Sequence, residues 1–171
     1  MKRESQTRVQ PVESPEGVIE RVGSLAGDGR RFVMVVARFN HGITSRLAAA
    51  AVAAFRFHGV ASEDLELIRV PGAFELPSAC MRAVERGGTD GVVALGCVIR
   101  GETPHFDFVA KAASRGLGDL SVQAVVPVVF GVLTTDTLEQ ALDRAGPGEE
   151  NKGWEAAVSA LEMANLYAEL Q

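Results

Sequence analysis

Gly96-Cys97-Val98-Ile99-Arg100-Gly101-Glu102-Thr103-Pro104-His105 joins a strand pattern to a helix pattern. Upstream, Gly91-Val92-Val93-Ala94-Leu95 is small, apolar and β-branched with no charge, as in a strand buried on both faces. Downstream, His105-Phe106-Asp107-Phe108-Val109-Ala110-Lys111 opens a helical periodicity. Two glycines, a threonine and a proline between them demand a sharp turn. In α/β proteins ligands gather at such a place, beyond a strand's carboxyl end and facing a helix N-terminus. The turn offers free backbone N–H groups to an anion, and it ends in the side chain that titrates nearest neutrality. A plain strand-to-helix connection with a capping histidine is the competing reading, and the remaining loops decide between the two.

Outward from this turn the same alternation repeats. Phe32-Val33-Met34-Val35-Val36-Ala37, Leu65-Glu66-Leu67-Ile68-Arg69-Val70 and Ala124-Val125-Val126-Pro127-Val128-Val129-Phe130 read as strands. The first leads through Arg38–Gly42, with Asn40 as N-cap, into an alanine-rich helix to about His58 that Gly59 closes. The second stops at Pro71-Gly72, and a helix opens at Phe74–Ser78 and runs to Gly87-Gly88. After the last strand, Asp136 and Glu139 fit the N-cap and N3 positions of a capping box, with a stop at Gly146-Pro147. A final amphipathic helix spans about Lys152 to Leu170. Weak alternation at Val18, Glu20 and Val22 allows one short N-terminal edge strand before the Gly27-Asp28-Gly29 turn. Strands each followed by a helix imply right-handed crossovers. The expected fold is a three-layer α-β-α, flavodoxin-like domain: a four-stranded parallel sheet with helices on both faces. It occupies residues 17–171, behind a polar, mobile arm over 1–16 that carries Pro11 and Pro15.

Composition narrows the function. A chain of 171 residues with 47% hydrophobic and 23% charged content suits one globular domain. A formal charge of −5 without a basic cluster argues against nucleic acid. The two cysteines, Cys80 and Cys97, sit in apolar segments without CxxC spacing, so they are expected to be buried free thiols of a cytoplasmic protein. His41, His58 and His105 form no metal-ligand spacing, and no apolar run reaches membrane-spanning length. No strand precedes GxGxxG or a Walker sequence, which leaves nucleotide sites unsupported.

In such a parallel sheet every strand's carboxyl end lies along one edge, which gathers four loops there: Arg38–Gly42, Pro71–Glu75, Gly96–His105 and Phe130–Thr135. Phe39 offers a ring for stacking, or merely a packing residue. Glu75, in a helix's first turn, favours the dipole and could also accept hydrogen bonds from a polyol. Cys97 reads as a small buried residue rather than a nucleophile, because nothing lies at a spacing that would activate it. Arg144 closes the fourth helix, where an arginine compensates the dipole and where a guanidinium could also grip a phosphate bidentately. Lys152 starts the last helix on the unfavourable side of the dipole and hints at an anionic neighbour.

Taken in order, these loops resemble the 6,7-dimethyl-8-ribityllumazine synthase family over about Phe32 to Leu166. The likeness rests on Arg38-Phe39-Asn40 with Ile43-Thr44-Ser45, on Val70-Pro71-Gly72-Ala73-Phe74-Glu75-Leu76-Pro77, and on Gly96 to Thr103 with His105. It continues through Pro127 to Thr135, Asp143-Arg144-Ala145-Gly146 and Asn151-Lys152-Gly153. The family condenses 5-amino-6-ribitylaminouracil with 3,4-dihydroxy-2-butanone 4-phosphate in riboflavin biosynthesis, releasing phosphate and water without metal or redox cofactor. The resemblance implies that Phe39 stacks on the pyrimidine, and that Ala73, Phe74 and Glu75 hold the ribityl chain. It implies pyrimidine contacts through the main chain of Cys97, Val98 and Ile99. Glu102 and Thr103 would meet the phosphate through backbone N–H groups, with Arg144 as clamp and His105 as proton-transfer residue. It further implies a homopentamer in which Phe130 and Arg144 serve the neighbour's site. Some members close twelve pentamers into a sixty-subunit icosahedral shell. Capsid formers typically carry a Gly/Lys-rich linker where this chain has Gly146-Pro147-Gly148-Glu149-Glu150-Asn151.

Two alternatives carry different expectations. A riboflavin synthase on a related scaffold would dismutate two lumazines and would have no use for a phosphate clamp. A non-catalytic flavin- or lumazine-binding shell protein would not need His105 and Arg144 together.

Overall fold

The computed structural model describes residues 15–170; the proposed arm over 1–16 lies almost wholly outside them. The sheet has four strands, β1 (Phe32–Ala37), β2 (Leu65–Val70), β3 (Gly91–Ile99) and β4 (Val128–Thr135), all parallel in the order β2-β1-β3-β4. Among the described residues five helices accompany them: α1 (His41–Phe57), α2 (Leu76–Arg86), α3 (His105–Gln123), α4 (Leu138–Arg144) and α5 (Lys152–Leu170). A short 3₁₀ turn at Ala73–Glu75 precedes α2.

The two-residue period of the central strands divides the core. Phe32, Met34, Val36, Val93, Leu95 and Cys97 face one layer, with Leu47 and Phe55 of α1 and Ala157 and Leu161 of α5. Val33, Val35, Ala37, Val92, Ala94 and Val98 face the other, with Leu76 and Cys80 of α2 and Ala113 and Leu117 of α3. This is the expected three-layer arrangement. On the first face α1 and α5 touch closely, and a Cβ on Gly153 would run into the Leu47 carbonyl.

Three local expectations are corrected. β3 runs on to Ile99 and β4 begins at Val128, so Cys97, Val98 and Ile99, and Phe130 to Thr135, are strand rather than loop. The register explains both shifts: Val92 pairs with Val128 and Ile99 with Thr135, an eight-residue match that starts just after Pro127. The N-cap of α4 is Thr137, not Asp136. Its hydroxyl accepts from the Gln140 N–H, and the Gln140 side chain reaches back to the Thr137 N–H. Asp136 is engaged elsewhere, on Arg100.

The third concerns the N-terminal edge strand: residues 18–27 make no ladder with the sheet. Their polar backbone is satisfied otherwise, since the Asn165 Nδ2 of α5 donates to the carbonyls of Ser24 and Ala26, at 2.7 and 3.0 Å. Gly27 N–H donates to the His58 carbonyl at 2.8 Å. Val18, Ile19 and Val22 are left exposed.

Candidate active site

The carboxyl ends of β1, β2 and β3 enclose a cleft of about 670 Å³. Phe39 enters it from the β1 side, its loop pinned by Phe39 N–H donating to the Pro71 carbonyl at 2.9 Å. Phe39 is 71% exposed, so its ring is open to the cleft. Asn40, expected as an N-cap through its side chain, caps α1 from a left-handed conformation (φ 57°) and uses its side chain elsewhere. Its Nδ2 donates to the Cys97 carbonyl at 2.9 Å, tying the first loop to β3. A non-glycine residue in this region is strained, and that hydrogen bond holds it there.

Ala73, Phe74 and Glu75 line the cleft from the β2 end. Gly72 N–H donates to Glu75 Oε2 at 2.8 Å, aiming the carboxylate across the turn. Pro77 follows in the first turn of α2, where its missing N–H costs nothing. From β3 come Cys97, Val98 and Ile99. The Cys97 side chain belongs to the core beneath α1 and α5, and burial pushes its thiol up to about 11. A neutral buried thiol is no nucleophile, so what Cys97 offers the cleft is backbone.

The β3–α3 turn contributes Gly101, Thr103 and His105, with Glu102 between them and exposed. His105 is the first residue of α3 and exposed at the cleft. Among the described residues no backbone hydrogen bond takes the N–H groups of 101–103, which remain free for an anion. Nine of the expected residues therefore meet in one cleft within one chain. Glu102, Phe130 and Arg144 are not among its lining residues. Phe130 lies on β4 and lines two other hollows, and Arg144 is exposed in the last turn of α4. Among the described residues Arg144 has no carboxylate within ion-pair distance. Lys152, by contrast, is paired with Glu155 one turn on, which answers its conflict with the helix dipole locally.

Pro71, Gly72, Phe106 and Val109 also line the cleft and were not among the candidates. Phe106 and Val109 continue the buried face of α3 through Ala113 and Leu117, at steps of three and four. That periodicity carries the signal, since it extends the core face into the first turn, where only the site remains to be lined. Among the described residues no group of three or more His, Cys, Asp or Glu side chains is gathered as a metal would need.

A family model described as 6,7-dimethyl-8-ribityllumazine synthase matches residues 29–168. Relatives with that name include the protein of Aquifex aeolicus (strain VF5), 48% identical over 149 residues, covering 87% of this chain and 97% of the relative. Those of Desulfosudis oleivorans and Nautilia profundicola are 51% and 52% identical, covering 83% and 86% of this chain and 90% and 97% of the relatives. The match spans all four strands and every loop around the cleft, so the chain belongs to the 6,7-dimethyl-8-ribityllumazine synthase family.

Proposed function

We propose that this protein is a transferase of riboflavin biosynthesis, condensing 5-amino-6-(D-ribitylamino)uracil with 3,4-dihydroxy-2-butanone 4-phosphate to give 6,7-dimethyl-8-ribityllumazine, phosphate and water. The observation that carries this reading is the single cleft in which Phe39, Glu75, the β3 backbone, the 101–103 turn and His105 face one another. Phe39 stacks on the pyrimidine, while Ala73, Phe74 and Glu75 take the ribityl chain. Cys97, Val98 and Ile99 meet the ring through their main chain. Glu102 and Thr103 present backbone N–H groups to the phosphate, and the Glu102 carboxylate points away from it.

His105 moves the protons. Imine formation needs one for the departing water, and phosphate elimination needs one taken from carbon. An imidazole can both donate and accept a proton, so one side chain serves both steps. No step calls for a metal or redox group.

The active unit is a homopentamer, in which Arg144 and Phe130 complete the neighbour's cleft. Their absence from the cleft of their own chain supports this, as do exposed apolar residues on the outer faces of α3 and α4: Phe108, Val122, Leu138 and Leu142. Exposed Val18, Ile19 and Val22 suit a further step, pairing with a neighbour to close a sixty-subunit shell. No described helix is long and apolar enough to cross a membrane, and two buried free thiols suit the cytoplasm.

The test is direct: mix the purified protein with both substrates and follow lumazine absorbance and phosphate release. Formation of lumazine supports the assignment. Riboflavin from lumazine alone would point to the dismutation, and no product from either mixture would leave a shell protein.

A further inference from the structure

The β3–α3 turn has a mechanical problem. The N–H groups it keeps free for an anion are the ones that would otherwise brace it. Between the Arg100 N–H, bonded to the Thr135 carbonyl at 2.9 Å, and the Asp107 N–H, bonded to the Pro104 carbonyl at 3.0 Å, it has no backbone hydrogen bond among the described residues.

One side chain spans the gap. Arg100 Nε donates to Asp136 Oδ1 at 2.8 Å, and Nη1 lies 3.3 and 3.4 Å from the two oxygens of Asp107. Its guanidinium carbon sits 4.2 Å from the centre of the Phe106 ring. Asp136 belongs to the β4–α4 corner and Asp107 to the first turn of α3, so the planar fork links two elements across an aromatic face. Phe106 is the wall between two hollows: one side lines the cleft with His105, the other a second hollow shared with Arg100.

We propose that Arg100 is a positioning residue, a staple outside the cleft that fixes the turn carrying Thr103 and His105 into it. Its role in the reaction rests on the function proposed above. Nε and Nη1 of Arg100 are committed to carboxylates and the group lines the hollow behind Phe106 rather than its own chain's cleft, so its action falls on the turn. Exposed ion pairs add little to global stability, so the effect falls on geometry.

The test compares wild type with Arg100→Met, Arg100→Lys, Asp136→Asn and the Arg100→Met/Asp136→Asn double variant. Three measurements apply: steady-state kinetics, thermal unfolding and hydrogen exchange of the 100–108 segment by mass spectrometry. Arg100→Met is expected to lower kcat about tenfold to a hundredfold through misplacement of reacting groups. KM for the uracil substrate should stay within about twofold, because that substrate is held from other loops. Within 100–108 the hydrogen-bonded amides of Arg100 and Asp107 should exchange about tenfold faster while the unfolding temperature barely moves. Asp136→Asn should reproduce part of the loss, and the double variant should be no worse than Arg100→Met. Arg100→Lys, which keeps the charge without the fork, should not restore kcat.

Unchanged exchange in Arg100→Met overturns the staple. Faster exchange with wild-type kcat overturns its role in the reaction. Full rescue by lysine, with Asp136→Asn silent, would make Arg100 a phosphate ligand instead. If wild type makes no lumazine, the assigned reaction fails and the positioning role falls with it, while exchange still decides whether the staple exists.

Discussion

His105 occupies the first position of α3, where the cleft and the free N–H groups of the turn meet. His105→Ala should leave folding and assembly intact and slow lumazine formation roughly a hundredfold to ten-thousandfold, the usual worth of a positioned acid–base group. An unchanged rate in a steady-state assay would remove it from the mechanism. The cysteines give the opposite expectation. Burial holds the thiols of Cys80 and Cys97 up at about 12 and about 11, against an ordinary 9.0. Neither should react with a thiol reagent at neutral pH until the protein unfolds, and Cys97→Ala should keep near-wild-type kcat. The linked stability has a definite sign. In the unfolded chain the thiols ionise from about pH 9, while in the folded chain they stay protonated. Their contribution is therefore intact below pH 9 and is lost as pH climbs toward 11 and 12. A flat unfolding temperature across that range would contradict the burial.

At the level of elements, close approach sets the limits. α5 lies against α1 at Gly153, where a Cβ would meet backbone rather than a movable side chain. Gly153→Ala should cost about 3 kcal/mol, the upper range for overpacking, and lower the unfolding temperature by several degrees. An unaltered melting curve would mean that α5 can retreat. Elements whose signals were local were legible without coordinates: the apolar runs of β1 and β3, the stop at Gly59 and the amphipathic stripe of α5. What escaped depended on partners. The start of β4 is set by pairing with β3 and by Pro127, not by its own apolar run, which begins at Ala124. Asp136 has the composition of a cap but is drawn to Arg100, so the cap passes to Thr137. Asn40 likewise gives its amide to Cys97 across the sheet. Val18 to Val22 alternates as a strand does, yet it joins neither open edge of the sheet, β2 or β4, and Asn165 takes up the backbone that follows.

For the molecule as a whole, the question is how a site can need residues that one chain keeps apart. The cleft holds His105 but not Arg144, although in the proposed reaction a phosphate leaves that cleft and calls for a cation. In a closed ring with one repeated head-to-tail contact, every site draws its imidazole from one chain and its guanidinium from the next. Arg144→Ala alone should raise KM for the butanone phosphate more than it lowers kcat, and His105→Ala alone should abolish most turnover. Co-expressed in equal amounts, the two variants assemble at random. A site is then whole when its imidazole donor is an Arg144→Ala chain and its guanidinium donor a His105→Ala chain, which happens in about a quarter of sites. At low butanone phosphate the mixed assemblies should recover about that fraction of wild-type activity, well above the average of the two parents. Recovery no greater than that average would place imidazole and guanidinium on the same chain, or apart altogether. Native mass spectrometry of the same samples would show whether mixed rings had formed, so that a null result could not be laid to failed exchange of subunits.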